Sequence, residues 1–207
     1  MTLPAKTPKT QALTKEEADN FKDYAAEGGD LLERIKFKRD KWIRTQDDSE
    51  IPPDEQFVIN LTALWREWTK WKGQEPVDRK VVPVASGEPF PDRDEMGDLD
   101  QALWETDGDG NPRDPWQEQH GFTMRSLKSG EESACSFSSD GGKRAVRKLA
   151  GIFEFQTSAA GEPMFPRVLL KHKTYIHPIH NVEVGKPVFA VQDWTTMENL
   201  LNDKIPF

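Results

Sequence analysis

Three segments of the chain carry cationic and aromatic side chains two or four residues apart, in keeping with the side-chain repeat of a β-strand. These rows are Lys36, Lys38 and Trp42; Arg66, Trp68, Lys70 and Lys72; and Lys171, Lys173 and Tyr175. Cations at this spacing can follow a phosphate backbone, and exposed rings offer bases a stacking surface worth about 1–3 kcal/mol per base. The rows therefore predict a surface that binds single-stranded nucleic acid. The alternative is that the Trp rings lie in the core and the Lys side chains only solvate an outer face.

The residues around these rows predict the elements that carry them. Segments 34–43 and 57–72 alternate apolar and polar residues as strands do, with one apolar and one basic face each. The second segment also has helical spacing at Leu61, Leu64 and Trp65, but its β-branched and aromatic content favours a strand. Further strands are predicted at 77–86, 122–127, 133–138, 167–176 and 186–194. A helix is predicted at 143–155, with an apolar stripe of Val146, Leu149 and Phe153 and a basic stripe of Lys143, Arg144, Arg147 and Lys148.

The predicted order is several strands, one helix and two more strands. An oligonucleotide-binding (OB) barrel has this order, because its single helix lies between its third and fourth strands. We therefore expect a mainly β (α+β) fold, an OB-like barrel of five to six strands, although other small α+β folds share the order. The predicted organisation is a flexible arm at 1–30, one domain at 31–194 with an acidic insertion at 86–120, and a C-terminal tail at 195–207.

The distribution of charge decides whether a polyanion is an acceptable partner. The 207 residues include 28 Lys and Arg against 36 Asp and Glu, a formal charge of −8 that argues against nucleic acid. Residues 86–120, however, contain 2 basic and 11 acidic residues, which leaves the rest of the chain at +1. This stretch is rich in Pro, Gly and Asp, and we expect a long loop anchored by Trp104 and Trp116. Such a loop could compete with DNA for a basic groove.

Other classes of protein fit the sequence less well. No apolar run reaches the length of a membrane span, and the first residues lack the apolar stretch of a signal peptide, so we expect a cytoplasmic protein without a membrane partner. Cys135 is the only cysteine, which excludes an internal disulfide. His172, His177 and His180 could ligate a metal, but no carboxylate or cysteine lies beside them. We expect no metal, no cofactor and no catalytic residue.

The chain ends in Asn202-Asp203-Lys204-Ile205-Pro206-Phe207. The terminal Ile-Pro-Phe resembles the C-terminal peptide of bacterial single-stranded-DNA-binding proteins, in which an acidic tail ending in this tripeptide docks on replication, recombination and repair enzymes. The resemblance implies that Asp203, Ile205, Pro206 and Phe207 bind partner proteins. A basic residue would capture the terminal carboxylate, and an apolar pocket would receive the ring. The body of the chain looks more like divergent single-strand binders of bacteriophages.

Together these observations predict sequence-independent binding and protection of single-stranded DNA in replication, recombination and repair. The tail would recruit partner enzymes, in the cytoplasm of a bacterial cell or a phage-infected host. The sequence does not decide the oligomeric state, and a homo-oligomer is compatible with it. The alternative is a protein that binds no DNA and displays the tail to capture or inhibit host repair proteins. An enzyme built on the three histidines is a third, less favoured hypothesis.

Overall fold

The computed structural model describes residues 32–108, 110–176 and 181–203. The elements are, in chain order, β1 (Glu33–Lys38), β2 (Lys41–Arg44), β3 (Gln56–Lys72), β4 (Glu75–Pro83), β5 (Glu105–Thr106), β6 (Pro112–Arg113), β7 (Trp116–Ser126), β8 (Glu132–Phe137), α1 (Asp140–Ala160), β9 (Phe165–Ile176), β10 (Glu183–Thr195) and α2 (Met197–Asn202). The described chain is mainly β, as the sequence predicts. No helix within it is long and apolar enough to cross a membrane. The arm predicted at 1–30 lies outside the described residues.

Eight of the described strands form one sheet that curls into a half-barrel. Its order is β10-β9-β3-β7-β8-β1-β2, and β4 also pairs with β3. Strand β9 pairs with the beginning of β3 and β4 with its second half, while β7 runs along the other edge of both halves. The paired strands β7 and β8 confirm the strands predicted at 122–127 and 133–138, and the paired strands β9 and β10 confirm the last two predicted strands.

Helix α1 covers the inner face of the curled sheet. The side chains of Val146 and Leu149 are buried in the core and Phe153 packs against it, which confirms the predicted apolar stripe. Ser139 Oγ accepts a backbone hydrogen bond at the start of the helix, and Gly161 ends it in the left-handed region. The core side chains of the strands are chiefly Ile35, Phe57, Ile59, Phe122, Met124, Cys135, Phe137, Val168 and Leu170.

A hairpin turn interrupts the strand predicted at 34–43, so that prediction was wrong. Arg39 and Asp40 both have positive φ angles, of 49° and 63°, and form the tight turn between β1 and β2. Trp42 therefore pairs with Phe37 and shares its inner face instead of lying beside the lysines. The indole is 4% exposed, and its Nε1 donates a hydrogen bond to the carbonyl of Lys171 at 2.8 Å. Its ring is part of the core.

Strand β3 contains an irregularity that exchanges its two faces. Asn60 pairs with Thr123 and Trp65 pairs with Gly121, so four residues of β3 lie opposite one residue of β7. Strand β3 therefore has three residues more than β7 in this segment. Because side chains alternate between the two faces of a sheet, an odd number of additional residues turns every following side chain of β3 to the other face. The sequence predicted one apolar parity along the whole strand, and this was wrong beyond residue 60.

Two of the predicted segments include regular elements of the structure. Residues 116–120 of the predicted acidic insertion belong to β7, so the connection between β4 and β7 ends at Pro115. Part of the predicted tail is folded, because α2 packs on the face of β3 opposite the main core. There Leu200 is fully buried against Val58 and Phe165. Residues 204–207, which include Ile205, Pro206 and Phe207, lie outside the described part of the chain.

The burial of Trp42 gives a first testable prediction. Trp42→Ala should lower the free energy of unfolding by about 3–5 kcal/mol, because it leaves a cavity in the core and removes the hydrogen bond to Lys171. Urea denaturation followed by circular dichroism measures the change. Lys38→Ala, on the exposed side of the same hairpin, is the matched control and should change it by less than about 0.5 kcal/mol. A Trp42→Ala protein of unchanged stability would contradict this packing.

Candidate nucleic-acid interface

The second half of β3 presents Arg66, Trp68 and Lys70 on the inner face of the sheet, beyond the area that α1 covers. Because of the irregularity in β3, these side chains share the face of Phe57 and Ile59. Trp68 lies at the centre, between β4 on one side and β7 on the other. We call the surface formed by Arg66, Trp68 and Lys70 the Trp68 face. It is the predicted row whose side chains lie on the inner face of the sheet.

A phenylalanine from the β4–β7 connection lies on this surface. The rings of Phe90 and Trp68 are stacked, with their centroids 5.8 Å apart and an interplanar angle of 17°. The guanidinium carbon of Arg66 lies 3.8 Å from the centroid of the Phe90 ring. Trp68 Nε1 donates a hydrogen bond of 2.9 Å to the carbonyl of Pro91. The Trp68 face therefore binds a planar ring by stacking and by a cation–π contact.

A carboxylate from the same connection lies on the third residue of the face. Lys70 Nζ is 2.9 Å from Asp98 Oδ2, and Trp116 Nε1 donates a hydrogen bond to the same oxygen at 2.9 Å. The hydrogen bonds from Lys70 and then from Trp116 lower the pKa of Asp98, because both favour its charged form. Lys70 therefore already binds an anion in this conformation.

Residues 88–104 form a structured cover, which we call the acidic cap; it contains six acidic residues and one arginine. Arg93 binds Asp114 through two hydrogen bonds of 2.7 Å and also donates to the carbonyls of Gly97 and Asp98. Trp104 Nε1 donates a hydrogen bond of 2.7 Å to the carbonyl of Asp98. These bonds fix the turn at Asp98, whose φ of 52° is in the left-handed region. The cap thus holds Phe90 and Asp98 in place.

Glu118 connects the Trp68 face to α1. Its carboxylate accepts hydrogen bonds from Arg66 at 2.6 Å and His120 at 2.9 Å, and lies 3.4 Å from Lys143 Nζ. Burial opposes the ionisation of Glu118, but the hydrogen bonds from Arg66 and His120 and the charge of Lys143 outweigh it and lower its pKa to about 2. Burial also lowers the pKa of His120 despite its hydrogen bond to Glu118. Glu118 is therefore ionised, and its carboxylate orients the guanidinium of Arg66.

Basic side chains continue from this surface onto α1. Arg147 lies close enough to His120 for its positive charge to help lower the pKa of the imidazole, although burial is the larger cause. Arg144, Arg147 and Lys148 are exposed and have no ion-pair partner within the described ranges. The basic stripe predicted on the helix is thus accessible along most of its length.

The other two predicted rows lie elsewhere. Lys36 and Lys38 are exposed on the outer face of β1, while Trp42, predicted in the same row, is in the core. In the third row Lys173 is exposed, Lys171 Nζ donates to the carbonyl of Pro53 at 2.7 Å, and the ring of Tyr175 lies 5.8 Å from Lys186 Nζ. Lys72 is exposed at the end of β3. The structure therefore does not bring the three rows together in one groove.

Of the four residues predicted to bind partner proteins, the structure describes only Asp203. Its carboxylate lies 2.9 Å from Arg167 Nη2, so an ion pair holds it on the domain. Of the three clustered histidines only His172 is described, and its ring lies 6.3 Å from that of Phe37. Within residues 32–108, 110–176 and 181–203, no group of three potential ligands is placed to hold a metal.

Sequence reasoning found some of the residues that complete the site and missed others. Trp104 and Trp116 were predicted to anchor the acidic loop, and both do so through hydrogen bonds to Asp98. Phe90 was not singled out, although a large apolar ring between two prolines is unusual in an acidic loop and could have marked a contact. Glu118 had no recognisable signal, because two of its three partners, Arg66 and Lys143, lie on other elements.

Comparison of this chain with family models, with curated proteins and with solved structures finds no match among any of them.

The low pKa of Glu118 predicts a pH dependence of stability. Because the folded-state pKa, about 2, is below the ordinary value of 4.5, the carboxylate stabilises the fold fully above pH 4.5 and loses this effect as the pH falls towards 2. Glu118→Gln should cost about 1–3 kcal/mol at pH 7 and make stability less dependent on pH between 5 and 2.

Urea denaturation of both proteins at several pH values measures this difference. Glu131→Gln, which removes an exposed glutamate from the β7–β8 turn, is the matched control and should follow the unsubstituted protein. Identical pH profiles for Glu118→Gln and the unsubstituted protein would contradict the role of Glu118.

Proposed function

We propose that this protein binds single-stranded DNA without sequence preference and that the Trp68 face is its binding surface. The observation that carries the proposal is the occupation of this face. Trp68 and Arg66 hold the ring of Phe90, and Lys70 holds the carboxylate of Asp98. A nucleotide presents the same two groups, a planar base and an anionic phosphate. Side chains that bind an aromatic ring and a carboxylate are therefore suited to bind a base and a phosphate.

The preference for a single strand follows from access to the bases. Every base has a π-face, so stacking on Trp68 requires an unstacked base but no particular base. In duplex DNA the bases are stacked on one another and are not available to the ring. The exposed cations of α1, Arg144, Arg147 and Lys148, extend the basic surface that would follow the phosphates.

We propose that the fold itself is OB-like. The curled sheet, the single long helix between β8 and β9, and the antiparallel pair that follows it all support this assignment. Recruitment of replication or repair enzymes by Ile205, Pro206 and Phe207, and a cytoplasmic location, are further proposals that rest on the sequence. The alternative, a protein that only displays this tail, would be favoured if no DNA binding were found.

Titration with oligo-dT and with duplex DNA tests the proposal. Tryptophan fluorescence should be quenched by oligo-dT, more weakly as salt increases, and little by duplex. Trp68→Ala should weaken binding by about 5- to 150-fold, the equivalent of one lost stacking contact. Lys70→Gln should reduce the steepness of the salt dependence by about 0.7 in the logarithmic slope, because one phosphate contact is lost.

Lys128→Gln is the matched control for Lys70→Gln, since it removes the charge of an exposed lysine in the β7–β8 turn, far from the Trp68 face. Circular dichroism checks that each variant is folded. Absence of quenching at low salt, both in the unsubstituted chain and in a Phe90→Ala chain whose Trp68 ring is uncovered, would contradict the proposal. So would binding that Trp68→Ala and Lys70→Gln leave unchanged.

A further inference from the structure

We propose that the acidic cap is an intramolecular competitor of single-stranded DNA, which occupies the Trp68 face until a DNA strand displaces it. This inference rests on the proposed function, because it names the regulation of the same surface. It goes further in assigning a role to residues 88–104, and in stating which of their groups stand in for which parts of the DNA.

Phe90 occupies the place of a base. Its ring is nearly parallel to that of Trp68 and also contacts the guanidinium of Arg66, so both groups that would bind a base are already engaged. The Trp68 Nε1 donor is used as well, because it binds the carbonyl of Pro91. A base can stack on this face of Trp68 only after Phe90 has left it.

Asp98 occupies the place of a phosphate. It neutralises Lys70 and accepts the hydrogen bond of Trp116 Nε1, so an incoming phosphate meets a carboxylate already bound there. The six acidic residues of the cap also lower the positive potential of the surface as a whole. The phosphate backbone of DNA must therefore displace the cap from Lys70 and cannot bind beside it.

The cap can leave without disturbing the core. No residue of 88–104 is buried, and none contributes to the main hydrophobic cluster. Leu99 is 53% exposed and Leu103 is 83% exposed, so Phe90 is the apolar side chain of the cap that contacts the Trp68 face. Within the cap, Arg93 donates to the carbonyls of Gly97 and Asp98, and these bonds do not depend on contact with the Trp68 face. The bonds of Arg93 to Asp114 join the cap to the rest of the β4–β7 connection. The cap can therefore move as a preformed unit.

Cap substitutions test the competition directly. Phe90→Ala and Asp98→Asn should each bind a fluorescein-labelled oligo-dT about tenfold more tightly than the unsubstituted chain, measured by anisotropy at one salt concentration, because less of the surface is occupied. The matched controls are Leu103→Ala, which removes an exposed apolar side chain, and Glu88→Gln, which removes an exposed charge. Within the described part of the chain, no hydrogen bond, ion pair or ring contact joins either side chain to the Trp68 face, so both should change the affinity far less than Phe90→Ala and Asp98→Asn do.

A second measurement needs no DNA. Phe90→Ala should shift the tryptophan emission to longer wavelength, because Trp68 becomes exposed to water, whereas Leu103→Ala should not. Urea denaturation should give all four variants an unfolding midpoint close to that of the unsubstituted chain, as expected if the cap lies outside the core.

The outcomes separate this inference from the proposed function. If Lys70→Gln weakens binding but Phe90→Ala and Asp98→Asn bind no more tightly than the unsubstituted chain, the DNA site stands and the competition is overturned. If Phe90→Ala binds more weakly, Phe90 belongs to the binding surface and the competition is likewise overturned. If no protein of the series binds oligo-dT, the proposed function itself fails.

Discussion

The alternation of side chains along β3 is the constraint on which both the core and the candidate site depend. A single strand of 17 residues lines the hydrophobic core with its first half and carries the Trp68 face with its second. If the irregularity between Asn60 and Trp65 added an even number of residues to β3, then Arg66, Trp68 and Lys70 would lie on the outer face of the sheet. Because it adds three, these side chains lie on the inner face, under the acidic cap. Glu67 and Thr69 take the outer side instead, where Gln119 joins their hydrogen-bonded network.

Local patterns predicted most of the elements because each is specified by its own residues. The stripe of Val146, Leu149 and Phe153 has a period that only a helix satisfies, and it defined α1. The turn between β1 and β2 was missed because Arg39 and Asp40 are not the Asn-Gly or Gly pairs that usually mark positive φ angles. The irregularity of β3 was missed because Leu61, Leu64 and Trp65 suit a strand, a helix or a bulge equally well.

The candidate site was predictable only in part, for a physical reason. The residue types of the Trp68 face were visible as a row, since they lie on one strand. Their occupation by Phe90 and Asp98 depends on a connection that folds back more than 20 residues along the chain. Pairing over such a distance leaves no periodic signal. For the same reason the burial of Trp42, which depends on β9, could not be inferred from its neighbours in sequence.

The contacts of Glu118 also restrict which substitutions homologous proteins can tolerate. One carboxylate is shared by a residue of β3, a residue of β7 and a residue of α1. Loss of Arg66 alone would leave a partly buried anion with weaker compensation, whereas loss of Arg66 together with Glu118 would remove both charges. Substitutions at these two positions should therefore occur together among homologous proteins. Wherever a related chain has lost the arginine, we expect the glutamate to have been lost with it.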